Sequence, residues 1–384
     1  MAHEGQKKSK EGNNMKAYKK FLAATIAAVG LSSAAYADIV IGAAGPLTNA
    51  ESIFGVTWMN GMELAIRQVN KTGGINGEKI VLQRDDDNAD PKQGTLIAQK
   101  HCDNSAMLGV VANFNSGVTI PSSDVYHRCD MPQVTNASNP KVTKSGYKNL
   151  FRPIANDLSQ GSAPANYAVN TLKAKAAAVV HDKQAFGQGV AEVFRDTFIK
   201  DGGKVTSFSG ITQTDVDFSA LLTSIKSENP DVIYFGGVMP AVGLFVKQAR
   251  EFGIKATVFA ADSAFAPDFV NVAGAESAED TVVSFQAPPY DSSPDLQTFA
   301  KSYKEAFGEE PGPYSAYGFV ETSIILEAMK KLPAPLTRKA ISNEIAKTDL
   351  KTMVGTVTFK PDGELTNPFI FLYKVEAGKF ALVK

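Results

Sequence analysis

The chain has 384 residues, 44% of them hydrophobic, with 31 glycines and 19 prolines. That composition fits one or two globular domains and excludes a fibrous or wholly disordered chain. With the six Lys and two Glu of residues 1–37 set aside, the 39 basic and 40 acidic residues become 33 and 38. An acidic balance of this kind excludes nucleic acid as a partner, which requires a basic face.

The N-terminus reads as an export signal. Met15-Lys16-Ala17-Tyr18-Lys19-Lys20 is a short basic stretch, Phe21–Leu31 is an apolar run, and Ala35-Tyr36-Ala37 is a small-x-small cleavage site. The apolar run is shorter than the ~20 residues a membrane span needs. Residues 15–37 are therefore expected to be a signal peptide cut before Asp38, and residues 1–14 an extension upstream of it. Beyond it no apolar run is long enough to span a membrane, and no cysteine stands at the expected cleavage site to carry a lipid.

From Asp38 onward, strand-like and helix-like segments alternate. Asp38–Ala44 is apolar and β-branched. Phe54–Lys71 places Met59, Met62, Ala65, Ile66 and Val69 on one helical stripe. A glycine turn at Gly73–Gly77 leads to the strand Lys79–Gln83. Asp90-Pro91 gives an N-cap and an N1 proline, opening a helix at Lys92–Cys102. The strand Met107–Val111, a helix over Gly117–Tyr126 and the strand Pro132–Val134 follow. The rhythm restarts after Arg152-Pro153. Helices at Leu158–Leu172, Gly187–Lys200, Phe218–Glu228 and Val242–Phe252 lead to strands at Ala176–Val180, Lys204–Phe208, Asp231–Phe235 and Thr257–Ala260. After Pro288-Pro289 come helices at Leu296–Phe307, Tyr314–Lys331 and Thr337–Lys347, then strands at Gly355–Phe359 and Phe369–Lys374.

Continuous apolar strands between amphipathic helices imply an α/β protein with parallel sheets covered on both faces. Two runs of such units predict two doubly wound lobes. The first is expected from residues 38–153 and 289–360, the second from 154–288 and 361–384, joined by three hinge crossings near Pro153, Pro288 and Pro361.

Cys102 and Cys129 are the only cysteines. Export places them where a disulfide can persist, and a disulfide is the first reading. Two free thiols are the second. A metal site with His101 and His127 is the third, disfavoured because each His–Cys spacing is tighter than structural zinc sites use. No metal or cofactor is expected elsewhere. Asp85-Asp86-Asp87 with Asp90 does not fit the calcium-loop spacing.

Catalytic signals are lacking. The chain has no G-x-S-x-G elbow, no G-x-G-x-x-G after its first strand and no Walker motif. His181-Asp182 are adjacent, and neighbours on a chain rarely present side chains to each other, so a strand-end role is the better reading. No enzyme activity is expected. Ligands of open parallel sheets bind at the carboxyl ends of the strands. Those ends carry Ala43–Gly45, Asn113–Ser116, Asn136–Ser138, Asp182–Phe186, Gly236–Val238 and Asp262: small hydroxyls, an acid and apolar side chains. These are ingredients for holding a small zwitterion.

The motifs Asn70-x-x-Gly73-Gly74-Ile75-x-Gly77, Asp86-Asp87-x-x-Asp90-Pro91-Lys92-Gln93, Pro121-x-Ser123-Asp124-x-Tyr126, His181-Asp182-Lys183-Gln184 and Tyr234-x-Gly236-Gly237 recur in order along the chain. With them the sequence resembles the periplasmic leucine/isoleucine/valine-binding proteins of ABC importers, which have the type I periplasmic binding fold. The resemblance covers essentially all of the chain after the signal. It implies a periplasmic monomer that binds a branched-chain or other apolar α-amino acid between its lobes and delivers it to an inner-membrane ABC permease. An aromatic-acid or other small-carboxylate binding protein and a sensory ligand-binding domain are the alternatives.

By that resemblance Ser116 and Ser138 would contact the ligand carboxylate, Asn136 would contact it through its backbone, and Asp262 would pair with the α-ammonium. A helix start at Ser116 fits an anion. Phe54 and Phe186 stand where tyrosine is common, and Val238 where an aromatic is common, so the tail pocket is expected to be more apolar and, at Val238, larger. The lobes would then close on a ligand first held by Ser116 and Ser138.

Overall fold

The computed structural model describes Met1 and residues 38–383. The expected signal peptide and upstream extension lie outside the described residues. The first lobe's strands are β1 (Ile39–Gly45), β2 (Ile80–Asp86), β3 (Met107–Ala112), β4 (Gln133–Val134) and β5 (Leu150–Phe151), with helices α1 (Ser52–Lys71), α2 (Pro91–Asp103), α3 (Ser116–Arg128) and the short α4 (Lys141–Lys144) between them. They form one all-parallel sheet in the order β2-β1-β3-β4-β5. Covered on both faces, β1 and β3 are almost wholly buried, which is why they read as unbroken apolar runs. Asp90 caps α2 by accepting from the Gln93 N–H at 2.7 Å, with Pro91 as the first helical residue.

The chain then enters a second sheet. Its elements are α5 (Asp157–Asn170), β6 (Ala176–His181), α6 (Ala185–Lys200), β7 (Lys204–Gly210), α7 (Ser219–Glu228), β8 (Val232–Gly236), α8 (Ala241–Glu251), β9 (Thr257–Ala260), a 3₁₀ turn at Asp262–Ala264, α9 (Pro267–Ala273), α10 (Ala275–Ala278) and β10 (Val282–Phe285). Next come α11 (Pro294–Phe307) and α12 (Ser315–Lys330), which pack back against α1, followed by α13 (Arg338–Ile345) and a hairpin of β11 (Asp349–Thr352) and β12 (Gly355–Thr358). The chain finally rejoins the second sheet as β13 (Phe371–Glu376) and β14 (Lys379–Leu382), giving the order β14-β13-β10-β9-β8-β6-β7. The last two strands run antiparallel to their neighbours.

The expected helices and parallel strands are present within a few residues of their expected ends. Four strands were not anticipated: β5, of two residues, and β10, β11 and β14, each of four residues. Strands of that length carry too few alternations to register as a period. Two of them, β11 and β14, are also partly exposed, and β11 is mostly polar.

Two topological facts position the site. In the first sheet the chain moves from β1 outward to β2 and returns on the other side at β3. In the second it moves from β6 outward to β7 and returns at β8. Each reversal leaves a crevice at the carboxyl ends of the strands, where α/β proteins bind ligands.

Candidate functional site

The segments leaving these two crevices line a single cavity. The first lobe supplies Glu51 and Phe54 after β1, Ala89 and Pro91 after β2, Phe114 to Val118 after β3, and Asn136 and Ser138 after β4. The second supplies Asp182, Gln184 and Phe186 after β6, Gln213 after β7, Val238 after β8, and Asp262 and Ser263 after β9. Tyr314, at the start of α12 where that helix packs on α1, completes the lining. All seven residues expected at a ligand site, Phe54, Ser116, Asn136, Ser138, Phe186, Val238 and Asp262, are among them.

One end of the cavity offers hydrogen-bond donors. Asn115 is extended at the N-cap of α3, and its side chain makes no capping bond; it donates instead to Glu51 Oε2 at 2.7 Å. The helix start is thus left without a side-chain cap; the Val118 N–H donates to the Asn115 carbonyl at 3.1 Å, and the N–H groups ahead of it, at Ser116 and Gly117, stand too early in the helix to have an intrahelical partner. The Ser116 Oγ accepts from the Asn139 N–H at 3.1 Å, joining the start of α3 to the Asn136–Asn139 loop. Asn136 is buried, and its side-chain carbonyl has no partner. Across the cleft, the Asn139 amide donates to the Ala185 carbonyl at the start of α6 at 2.6 Å, so the two lobes are in contact.

The other lobe presents Asp262. Its Oδ2 accepts from the Gln286 amide at 2.7 Å, and its backbone N–H donates to Gln160 Oε1 at 3.1 Å. Burial pushes this carboxyl above its usual range, while the Gln286 amide and the Tyr314 hydroxyl beside it favour the ionised form. A cationic group arriving here would complete the ionisation, since an opposite charge within hydrogen-bond reach lowers an acid's pKa. Among the described residues no Lys, Arg or His lines the cavity to do so.

Between the two ends lies an aromatic wall. Phe54 and Phe114 stack at 6.2 Å between centroids, and Tyr314 meets both edge-on at 5.6 and 4.9 Å. Trp58 closes the wall from behind, 5.5 Å from Phe114. Phe186 and Val238 face it from the second lobe. Two further acids line the cavity. Burial raises Glu51 to about 7 against its bond from Asn115, with the negative charges of Asp182 and Asp87 adding to the rise. Burial also raises Asp182, whose oxygens accept from the Gln184 N–H at 3.0 Å and the Gln213 amide at 3.2 Å.

Tyr314 and Glu51 escaped the sequence reading because neither sits at a strand end: one precedes α12 and the other is the N-cap of α1. The only signal for Tyr314 was its place after Pro311-Gly312-Pro313, where a helix begins.

The His181-Asp182 pair is not arranged for proton relay. His181 Nδ1 accepts from the Lys183 N–H at 3.1 Å, while Asp182 faces Gln184 and Gln213. In the acidic run, Asp85 binds Lys100 at 2.6 Å and buried His101 at 2.9 Å, Asp86 accepts from the Leu47 N–H at 2.8 Å, and Asp87 accepts from the Asn113 amide at 2.9 Å. Among the described residues no cluster of His, Cys, Asp and Glu is placed to hold a metal. Cys102 and Cys129 are joined as a disulfide between the ends of α2 and α3, their Cα atoms 5.8 Å apart.

Comparison with known proteins agrees with this architecture. A family described as periplasmic binding protein matches residues 38–379. The chain is 33% identical over 356 residues to Leu/Ile/Val-binding protein homolog 1 of Brucella melitensis, covering 92% of this chain and 95% of that one. It is 35% identical over 350 residues to an amino acid binding protein of Pseudomonas aeruginosa, covering 90% and 93%. Among solved structures, the leucine binding protein LivK of Thermotoga maritima superposes with a TM-score of 0.83 at 27% identity, over 90% of this chain and 98% of that one. Two doubly wound sheets facing each other across a lined cleft, matched end to end by this family, make the chain a member of the periplasmic binding proteins.

Proposed function

We propose that this protein is the extracytoplasmic solute-binding component of an ABC importer, and that it takes an apolar α-amino acid into the cleft between its lobes. The observation that carries this reading is the pairing of opposite chemistries in one cavity. Donors at Ser116, Ser138 and the start of α3 suit a carboxylate. Asp262 with Tyr314 suits an ammonium group, and Phe54, Phe114, Phe186 and Val238 suit an aliphatic tail. The names of the Brucella and Thermotoga relatives point to the same ligand class. Opposite the aromatic wall stands Val238, smaller than an aromatic side chain, which favours including phenylalanine among the ligands. The segments at residues 152–156, 286–290 and 360–368 act as the hinges, the chain is exported with cleavage before Asp38, and an inner-membrane permease receives the ligand.

A nine-heavy-atom ligand such as leucine, at roughly 1 kcal/mol per atom, would bind with sub-micromolar affinity. A thermal-shift screen against amino acids and aromatic acids identifies it: at about 100 times its dissociation constant a ligand adds about 2.7 kcal/mol of stability. Calorimetry then tests the site. Asp262→Ala should weaken any α-amino acid by more than about thirtyfold, the cost of truncating one partner of a buried charge pair. It should leave 4-methylpentanoate, which lacks the amine, within a few-fold. Equal affinity of wild type and Asp262→Ala for leucine would remove Asp262 from the site.

A further inference from the structure

Arg152 is fully buried, yet it does not line the cleft. It follows β5, where the chain leaves the first sheet. Its Nη1 donates to the carbonyls of Ala137 at 3.0 Å and Asn139 at 2.7 Å, the two residues on either side of Ser138. Its Nη2 donates to Thr143 Oγ1 at 3.2 Å and to Glu364 Oε1, and its Nε donates to Glu364 Oε2 at 3.2 Å. The backbones are joined as well: Arg152 N–H donates to the Gly363 carbonyl at 2.8 Å, and residues 152 and 364 pair as a parallel bridge. Glu364 also accepts from Thr143 Oγ1 and, at 3.3 Å, from the Asn156 amide. Glu364 lies on the last stretch of chain before β13.

One guanidinium therefore joins three segments: the first passage between the sheets, the last passage between them, and the loop carrying Asn136 and Ser138. A planar fork with five donors can hold two carbonyls, a hydroxyl and both oxygens of a carboxylate at once, five acceptors where a lysine has three donors. The loop it grips also reaches both sides of the cleft, through Asn139 to Ser116 and to Ala185.

We propose that Arg152 and Glu364 form a clasp that positions the Asn136–Asn139 loop for the ligand and fastens it to the passages between the lobes. These are positioning residues, since neither touches the cavity. The proposal rests on the reading of that cavity as an amino-acid site, but its first consequence does not need a ligand. Freed from the fork, the loop opens more often, while the core strand β3 beside it does not.

The test compares wild type with Glu364→Gln, which keeps the size and most of the hydrogen-bonding shape but removes the charge, and with Arg152→Lys. Hydrogen exchange is followed at the Ala137 and Asn139 amides of the ligand-free proteins, and leucine affinity is measured by calorimetry on the folded proteins. The clasp predicts exchange at those two amides at least about tenfold faster in Glu364→Gln, with β3 amides unchanged, and leucine binding weaker by about tenfold, within the range seen for residues that act without touching a ligand. Arg152→Lys should exceed both effects. Unchanged loop exchange in Glu364→Gln overturns the clasp, as does a lowered melting temperature with leucine affinity intact, which would mark the pair as purely structural. Faster loop exchange in a protein whose wild type binds no α-amino acid would keep the clasp and instead overturn the ligand assigned to the cleft.

Discussion

At the scale of single residues, the cleft and its surroundings concentrate carboxyls that burial holds near neutrality. Asp157 is fully buried beside Ser138, and neither of its oxygens has a hydrogen-bond partner of normal geometry. Burial raises it to about 7, against the opposing influence of the Ser138 hydroxyl and the Arg152 charge. Glu51 reaches about 7 for the same first reason. An acid whose pKa is higher in the folded than in the unfolded state binds more protons when folded. Its stabilising contribution is therefore complete below the unfolded value and is lost as pH rises through the folded one. These two groups should make the ligand-free protein less stable between about pH 4.5 and 7, each by up to about 1.4 kcal/mol per pH unit. Asp86 is held below its usual range by bonds from Thr48, Leu47 and Asn88 that outweigh burial, so it acts only at lower pH. His181, lowered by burial, slopes the other way, so the informative quantity is a difference. Urea unfolding at pH 5 and pH 8 should show a smaller loss in Asp157→Asn than in wild type. Identical losses in the two proteins would mean that Asp157 titrates normally.

At the scale of elements, the site depends on how α1 and α12 cross. A side chain at Gly61 would overlap the Ser315 carbonyl, and one at Gly318 the Trp58 carbonyl, so the two backbones approach as only glycine allows. That approach sets Phe54 on α1 against Tyr314 at the head of α12. Trp58, the only tryptophan, is fully buried on α1 and donates from Nε1 to Glu321 Oε2 at 2.7 Å, anchoring it to α12. Because Trp58 backs the Phe114 ring that lines the cleft, ligand binding should change its fluorescence. Trp58→Phe should erase that signal while calorimetric affinity stays within a few-fold. A full signal in Trp58→Phe would show that the change arises elsewhere. The disulfide ties α2 to α3 at their far ends and closes a loop of sequence separation 27. Arg338 reinforces that end by donating to the carbonyls of Cys102, Asn104 and Met107. Replacing both cysteines with serine should cost about 2–4 kcal/mol in denaturant unfolding and leave ligand affinity unchanged; a change in affinity would show that this end of α3 communicates with its start at Ser116.

At the scale of the whole molecule, much of the arrangement could be read from the chain. Parallel strands buried on both faces announce themselves as apolar runs, and Asp90-Pro91 announces a helix start, so two runs of βα units are legible in the pattern and suggest two doubly wound lobes, whose topology periodicity alone does not show. The strand ends then bring Ser116, Asn136, Ser138, Val238 and Asp262 near one another, because topology fixes where such ends gather. What could not be read is contact between distant segments. Tyr314 reaches the cavity only because α12 returns to pack on α1, and Glu51 only because Asn115 turns away from its own helix to meet it. The grip of Arg152 on Ala137, Asn139 and Glu364 spans more than 200 residues of sequence, and no local period encodes it. The short strands β11 and β14 escaped because four partly exposed residues carry too few alternations to show a period.

The central claim is that one preformed cavity holds both charged ends of an amino acid and surrounds its tail with apolar side chains. A crystal structure of the protein with leucine tests this most directly. It should show the ligand carboxylate against Ser116, Ser138 and the first-turn N–H groups of α3, the ammonium group within hydrogen-bond distance of Asp262, and the isobutyl group against Phe54, Phe114 and Val238. Leucine bound outside this cleft, or bound in it with its ammonium group turned away from Asp262, would contradict the account.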